Sequence, residues 1–517
     1  MHKVADSPQN PAALSIPPKS KRVMAPILRT PRMQACMLLS AFVTGSNAIQ
    51  SADLESATNA PPPGFFTRFD RIFREDLGTQ AYTPPSTDTN APAAPVTRRG
   101  YPAPFDAPPY PNGEWQIGGT EIIGDANTIP LWPLTAALQD GPNGEWWKKS
   151  RVNIYGWVDV SGNVSSSHNP NPGPVTGQGA NFPEIYDQRA NRIELNQVAL
   201  YFERTADEFQ TDHVDWGFRV MGVYGLDYRY MISRGLFDAQ LLNHNHYYGY
   251  DMPMTYFTVY FPKVAEGMNL TVGRIISEAD IEAQLAPNNL MSSHSLLYSF
   301  DPYTQEGIFS SIKLNKNWVI QAGLSCGGDV ALWQRDPGRQ PTGSVMAQWQ
   351  SSDGKWSFYG GANQFNNGTF GYNNLQQYVG TITYKITTNI WTSHETWYMY
   401  QRNATTGPTA DVPYQNGFFP VKPGYAPEWA TLNYTMFRLG HSTFFTVRNE
   451  FFDDIVGNRT GYASRYYEGS IGLTWWPNKL MTIRPELRFD HAFDALSYDS
   501  GTRKNQFTAQ VDVILHF

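Results

Sequence analysis

The stretch RPELRFDHAFD carries charge at every second position, at Arg484, Glu486, Arg488 and Asp490. Successive side chains of a β-strand point to opposite faces. All four charges therefore share one face, while Ile483, Leu487 and Phe489 share the other with Pro485. The pattern recurs upstream. Thr446, Arg448 and Glu450 lie opposite Phe445, Val447 and Phe451, and Glu468, Ser470 and Thr474 share a face of the strand between. Three neighbouring strands thus carry one ladder of guanidinium and carboxylate groups. Such a ladder can brace a wall through cross-strand ion pairs, or supply a transverse field that orients polar solutes. The two roles are compatible.

Catalytic groups are not arranged this way. His394 and Glu395 are adjacent on a strand pattern and so face apart, and His294-Ser295 is the only other suggestive pair. HExxH helices and Gly-rich phosphate loops are absent from the sequence, and no strand-turn-helix nucleophile elbow is expected. His244 and His246 offer two ligands with no cysteine nearby, short of a zinc set. The expectation is no enzyme, no metal and no cofactor.

The elements that must position the ladder follow from alternation. From Val152 onward, period-2 strands are expected near 152–164, 191–204, 213–228, 254–262, 267–276, 307–315, 317–326, 343–350, 355–365, 376–385, 389–402, 428–438, 442–454, 463–475, 480–492 and 503–517. The phase slips around Gln197, and Arg274 falls on the parity of Leu270 and Val272, which a bulge at Gly273 would correct. Connections after even-numbered strands are short and those after odd-numbered strands are long. That sorting matches tight periplasmic turns and long extracellular loops, and an even strand count returns both ends to one side. The fold class expected is all-β, a closed antiparallel transmembrane barrel of about sixteen strands.

Composition agrees. Aromatic residues are 14% and charged residues only 16% of the 517 residues, with 43 Gly and 38 Pro. Mean hydropathy is −0.44, and no apolar run is long enough for a spanning helix. In hydrocarbon every backbone amide must be paired, so a closed sheet with one dry and one wet face is what remains. Charges on the dry face would cost about 2–4 kcal/mol each near the midplane, so the ladder must face inward. Tyr201, Trp216, Tyr260, Trp391, Tyr398, Tyr400, Trp475 and Trp476, near strand ends, are expected in the interfacial girdles.

Three segments are expected. Residues 1–48 read as a signal peptide: basic residues, then MLLSAFVTG, then Ser46-Asn47-Ala48, with Met1 or Met24 as the start. Residues 49–150 hold fifteen prolines and read as an irregular periplasmic or plug-like arm with one amphipathic helix in GFFTRFDRIFRED. Residues 151–517 form the barrel. Removing residues 1–48 also removes Cys36, leaving Cys326 as a lone packed thiol, and leaves 33 basic against 45 acidic residues. A charge near −12 argues against a nucleic-acid partner.

From about Arg98 onward the chain resembles the OmpL-like β-barrel porin family. The blocks that carry the resemblance are RRGYPAPFDAPPYP (98–111), EAQLAPNN (282–289), HSLLYSFDP (294–302), RTGYASRYYE (459–468), RPELRFDHAFD (484–494) and SYDSGTRKNQ (497–506). The resemblance implies an outer-membrane barrel of porin function and leaves the solute open. By analogy with sixteen-strand diffusion porins, the connection 277–306 after strand five would fold into the lumen as a constriction, carrying Glu278, Asp280, Glu282, Asp301 and Glu306 with no Lys or Arg. Ser277 to Asp280 resembles a capping box opening a short helix through Leu285.

The closing strand reads QFTAQVDVILHF, with Phe517, Leu515, Val513 and Val511 on its dry face; this resembles the signal read by the barrel-assembly machinery. The function expected is passive diffusion of small polar solutes, sugars among them, across the outer membrane of a Gram-negative cell. The alternative is a non-conducting barrel serving as anchor or adhesin. Expected partners are outer-membrane lipids and lipopolysaccharide, the assembly machinery and the solute; monomer and homotrimer both stay open. A 22-strand plugged receptor does not fit the strand count.

Overall fold

The computed structural model describes residues 63–79, 131–169, 179–208, 210–276, 280–334, 341–367, 374–403, 424–440 and 442–517. They belong to one compact unit, Pro62–Phe517. The signal-peptide segment, Met24, Cys36, the block 98–111, and Ser277 and Glu278 of the capping box lie outside the described residues.

Sixteen strands form one closed antiparallel barrel in which each strand pairs with its sequence neighbours and the last returns to the first. They are β1 Val152–Ser165, β2 Ile193–Arg204, β3 Asp215–Gly225, β4 Gly249–Phe261, β5 Met268–Ile276, β6 Thr304–Lys313, β7 Trp318–Gly328 and β8 Thr342–Gln350. The second half comprises β9 Trp356–Phe365, β10 Gln376–Lys385, β11 Ile390–Arg402, β12 Tyr425–Arg438, β13 Thr443–Asp454, β14 Ser464–Trp475, β15 Met481–Ala492 and β16 Asn505–His516. Closure leaves no free edge, the condition for a sheet in hydrocarbon. Among the described residues no helix is long and apolar enough to cross a membrane.

Alternation decides the faces. On β16, Gln506, Thr508, Gln510 and Asp512 are buried inside while Phe507, Val511 and Val513 remain exposed on the outside. Two local departures explain where simple counting fails. The β1–β2 register shifts between Asp159 and Val160, so Asn196 and Gln197 both turn inward. At Arg274 the expected bulge is absent: β5 pairs with β4 and β6 without a register shift. Gly273 instead takes a φ of +139°, a conformation open to glycine, and Arg274 swings inward to a buried position. The girdle expectation also needs correction. Trp216, Tyr398 and Trp475 are exposed, but Tyr201, Tyr260, Trp391 and Trp476 are buried, because parity outranks nearness to a strand end.

The described parts of the arm, 63–79 and 131–150, carry three helices where one was expected. Helix α1 (Phe65–Leu77) presents Phe65, Phe69 and Phe73 in a row, with successive rings 6.4 and 5.8 Å apart, and α2 (Pro133–Gln139) and α3 (Gly144–Ser150) follow. The buried Arg68 donates from Nε to the Ala137 carbonyl at 3.0 Å, joining α1 to α2. Both dock at the short-turn rim. Thr135 Oγ1 donates to the Ile154 carbonyl at 2.6 Å and accepts the Ile154 amide at 2.9 Å. Lys479 reaches Asp76 at 2.8 Å, and Trp132 stacks on His516 at 4.2 Å and 3°.

The barrel seam closes over Gly156, whose amide and carbonyl pair with the backbone of Phe517 at 3.2 and 2.9 Å. A Cβ there would come within 2.0 Å of the Ala199 carbonyl oxygen and 2.8 Å of the Phe517 ring. Gly156→Val is therefore expected to abolish the compact, heat-modifiable form on semi-native gels. Gly222→Ala, with nothing within 4 Å of its Cβ, should retain it.

Candidate functional site

Three of the long connections turn back into the barrel. Residues 280–303, between β5 and β6, are buried throughout, as are 179–188 from the connection 166–192 and 226–233 from 226–248. Phe182, Ile185, Tyr186 and Tyr230 pack with Ile281, Leu290, Met291 and Leu296 in the largest apolar cluster. Tyr186 stacks on His294 at 3.8 Å, so the first and third connections hold each other.

The expected helix at 277–285 does not form over its described part. Residues 280–285 are irregular, and the first regular turn is a 3₁₀ turn at Ala286–Asn288, followed by α4 (Leu296–Ser299) capped by Ser295. The reason lies in where the backbone amides are satisfied. The Ile281 amide donates to Glu395 at 2.8 Å, and the Ala283 amide to the Asn289 side chain at 2.8 Å. Side chains from the wall and from the loop itself thus replace the helical ladder.

The inner wall of β13–β15 holds this loop. Arg448 is fully buried and sits among three carboxylates: Glu468 at 3.0 Å, Glu282 at 3.1 Å and Glu486 at 3.3 Å. It also donates to the Ser293 carbonyl at 2.8 Å and the Ser293 hydroxyl at 2.6 Å. Glu486 accepts the Ser293 amide at 2.9 Å, and Glu450 accepts the Leu296 amide at 2.8 Å and the Leu297 amide. Arg484 pairs with Asp512 and donates to the Ala286 and Asn289 carbonyls at 2.6 and 2.7 Å. Arg488 pairs with Asp490 at 2.8 Å and donates to the His294 carbonyl at 2.6 Å. Every ladder residue is thus buried inside, and several grip backbone of the loop as well as one another.

The acidic residues of the connection separate into three environments. Glu282 joins the Arg448 hub, with a hydrogen bond from Tyr434 as well. Asp301 is buried beside Asp280; burial, reinforced by the charge of Asp280 and a hydrogen bond with it, pushes its carboxyl well above the usual range. Glu306 is not in the loop: it belongs to β6, opposite Arg274, and accepts the Leu332 amide at 2.8 Å. β6 begins at Thr304 because Thr304 and Tyr303 hand their amides to Asp329.

Sequence reasoning missed Glu184, which lies 3.8 Å from Arg488, and Asp512, the partner of Arg484. Asp512 could have been found, since it falls on the polar parity of β16. Glu184 could not, because it lies in a loop where period gives no direction. His394 is exposed and Glu395 buried, so they face apart. The rings of His244 and His246 stack at 5.4 Å, and among the described residues no group of three His, Cys, Asp or Glu is placed to hold a metal ion.

A closed sixteen-strand barrel with polar loops packed inside is the architecture of an outer-membrane channel. Residues 151–517 match the family described as Putative beta-barrel porin-2, OmpL-like, and the chain belongs to that family. No curated protein sequence matches the chain. Among solved structures it is similar to the outer membrane channel DcaP of Acinetobacter baumannii (12% identity, TM-score 0.43, 71% of this chain and 97% of that one). It is similar to the anion-selective porin from Comamonas acidovorans (11%, 0.43, 71% and 99%) and to the trimer form of OmpT of Vibrio cholerae (8%, 0.40, 71% and 99%).

Removing one partner of a buried ion-pair network leaves the others uncompensated, at about 3–5 kcal/mol. Arg448→Ala is accordingly expected to lower the unfolding temperature in detergent and to free the 280–303 segment to protease; an unchanged melting curve would contradict the hub. His294 gives a pH test. Its Nε2 donates to the Ala283 carbonyl at 2.9 Å, and burial pushes its pKa down to about 3. Its contribution is complete above the unfolded value near 6.5 and is lost as pH falls toward 3, about 2 kcal/mol by pH 5. The fall in melting temperature from pH 7.5 to 5 is expected to be smaller in His294→Gln than in the wild type.

Proposed function

We propose that this protein is an outer-membrane porin passing small polar solutes, sugars among them, through a barrel narrowed by the 280–303 segment. In this reading the protein is exported behind a signal peptide at 1–48, and Asp280, Glu282 and Asp301 with the ladder Arg448, Glu450, Glu468, Arg484, Glu486, Arg488 and Asp490 set the constriction. The observation that carries the proposal is the Arg448 hub, which ties an acidic inward loop to the wall of a porin-family barrel. Helices α1–α3 act as a lid on the periplasmic mouth, supported by the Trp132–His516 stack and the Lys479–Asp76 bridge. With 33 basic against 45 acidic residues outside 1–48, the channel has a weak preference for cations.

A second reading, a non-conducting barrel serving as anchor, is favoured by one observation. Inward-facing Gln321, Gln348 and Thr381 in the periplasmic half are nearly inaccessible, where an open water-filled lumen would expose them. Planar-bilayer recording separates the two. The porin reading expects small stepwise currents from the wild type and a reversal potential of cation sign under a salt gradient. It also expects larger or more frequent openings after Trp132→Ala. Silence from both proteins would leave the anchor.

A further inference from the structure

The short-turn rim carries a site that the pore does not use. The turns 314–317 and 351–355 border an open surface cavity of about 440 Å³. Its apolar side is Trp318 and Trp349, cross-strand partners on β7 and β8 with rings 6.4 Å apart at 49°. Trp318 is exposed, and Ile320 and Leu324 continue the same outward face of β7 into the bilayer. The polar side is clamped in advance. Asn317 donates to the Gln350 carbonyl at 2.7 Å and to Ser352 Oγ at 3.1 Å, and its carbonyl accepts the Gln350 amide at 2.9 Å. The two turns are thereby fixed to each other, and the cavity between them is preformed.

Charge supplies the second argument. Lys316 is exposed on the cavity wall and makes no ion pair among the described residues. The rim around it is basic, with Lys263, Lys313, Lys355 and Lys385, while Glu266 and Asp353 are the only acids in the turns 262–267, 314–317, 351–355 and 386–389. This reverses the sign of a chain whose net charge is −7. Indoles at the edge of the hydrocarbon, a rigid hydrogen-bonding wall and an unneutralised ammonium match an amphiphile with a phosphodiester in its head.

We propose that this cavity binds one glycerophospholipid of the periplasmic leaflet, its glycerol and first methylenes against Trp318 and Trp349 and its phosphodiester against Lys316. The short turns give the side of the membrane, and an acyl-chain ligand follows from the continuity of the indoles with Ile320 and Leu324.

Native mass spectrometry of the full-length protein in detergent, titrated with dioleoylphosphatidylethanolamine, tests it. One lipid is expected to bind more tightly than the rest. Lys316→Glu is expected to weaken that copy about tenfold, while Lys263→Glu, on the same rim but outside the cavity, leaves it unchanged. Dioleoylglycerol, which lacks the phosphate, is expected to bind at least as weakly as the phospholipid binds Lys316→Glu. Retention by Lys316→Glu and Lys316→Ala equal to wild type overturns the proposal, as does equal retention of dioleoylglycerol. Competition by a soluble peptidoglycan fragment would also overturn it and make the cavity a glycan site. Heat-modifiable mobility of each variant separates lost binding from lost folding.

Discussion

A buried guanidinium cannot be left unpaired, and much of the interior of this barrel is arranged around that constraint at Arg448. Its charge is taken up by Glu468 and Glu486 of the neighbouring wall and by Glu282 of the inward loop, all essentially inaccessible to water. The wall pairs alone would brace the sheet. The third carboxylate and the contacts to Ser293 make the loop part of the same network. Because pairs in low dielectric gain stability only with complete hydrogen bonding, the loop must present backbone as well as charge. It does so at Ser293, Leu296 and Leu297, whose amides meet Glu486 and Glu450.

This explains which parts were legible in the sequence. The barrel was readable because a lipid-facing wall admits only one solution, strict alternation, and because turns and loops sort by side. The ladder was readable for the same reason: Arg484, Glu486, Arg488 and Asp490 could go nowhere but inward. Loop residues obey no period. Glu184 and the segment 179–188 reach the interior through tertiary packing of Phe182, Ile185 and Tyr186, which local spacing does not encode. The helix expected at 277–285 failed because Glu395 and Asn289 offered its amides better partners than its own carbonyls. Aromatics near strand ends were assigned to the girdle by position, and parity then sent Tyr201, Tyr260, Trp391 and Trp476 inside.

The arm was legible in one of its parts. Phe65, Phe69 and Phe73 at helical spacing marked α1, but α2 and α3 are each barely two turns and carry no periodic signal of their own. Short helices depend on packing rather than on propensity. Here the packing comes from the Arg68 contact to α2, the exchange between Thr135 and Ile154, and the Trp132 ring over His516.

The two ends of the interior are held with different strength, and that difference bears on where movement can occur. The inward loop is fixed by charges that are fully buried and mutually paired, each worth several kcal/mol to break. The arm meets the rim through one aromatic stack, worth about 0.5–1.5 kcal/mol beyond its burial, the two Thr135–Ile154 hydrogen bonds, about 0.5–1.5 kcal/mol each, and ion pairs that are partly or wholly solvated, about 0–1 kcal/mol each. Arg71 and Asp140, which join α1 to the end of α2, are both 51% exposed. A force or solute acting on the barrel would meet its least resistance at the short-turn mouth. On the porin reading proposed above, a change of state on the solute path is a displacement of α1–α3 from the rim, with the Arg448 network and the loop it holds remaining in place.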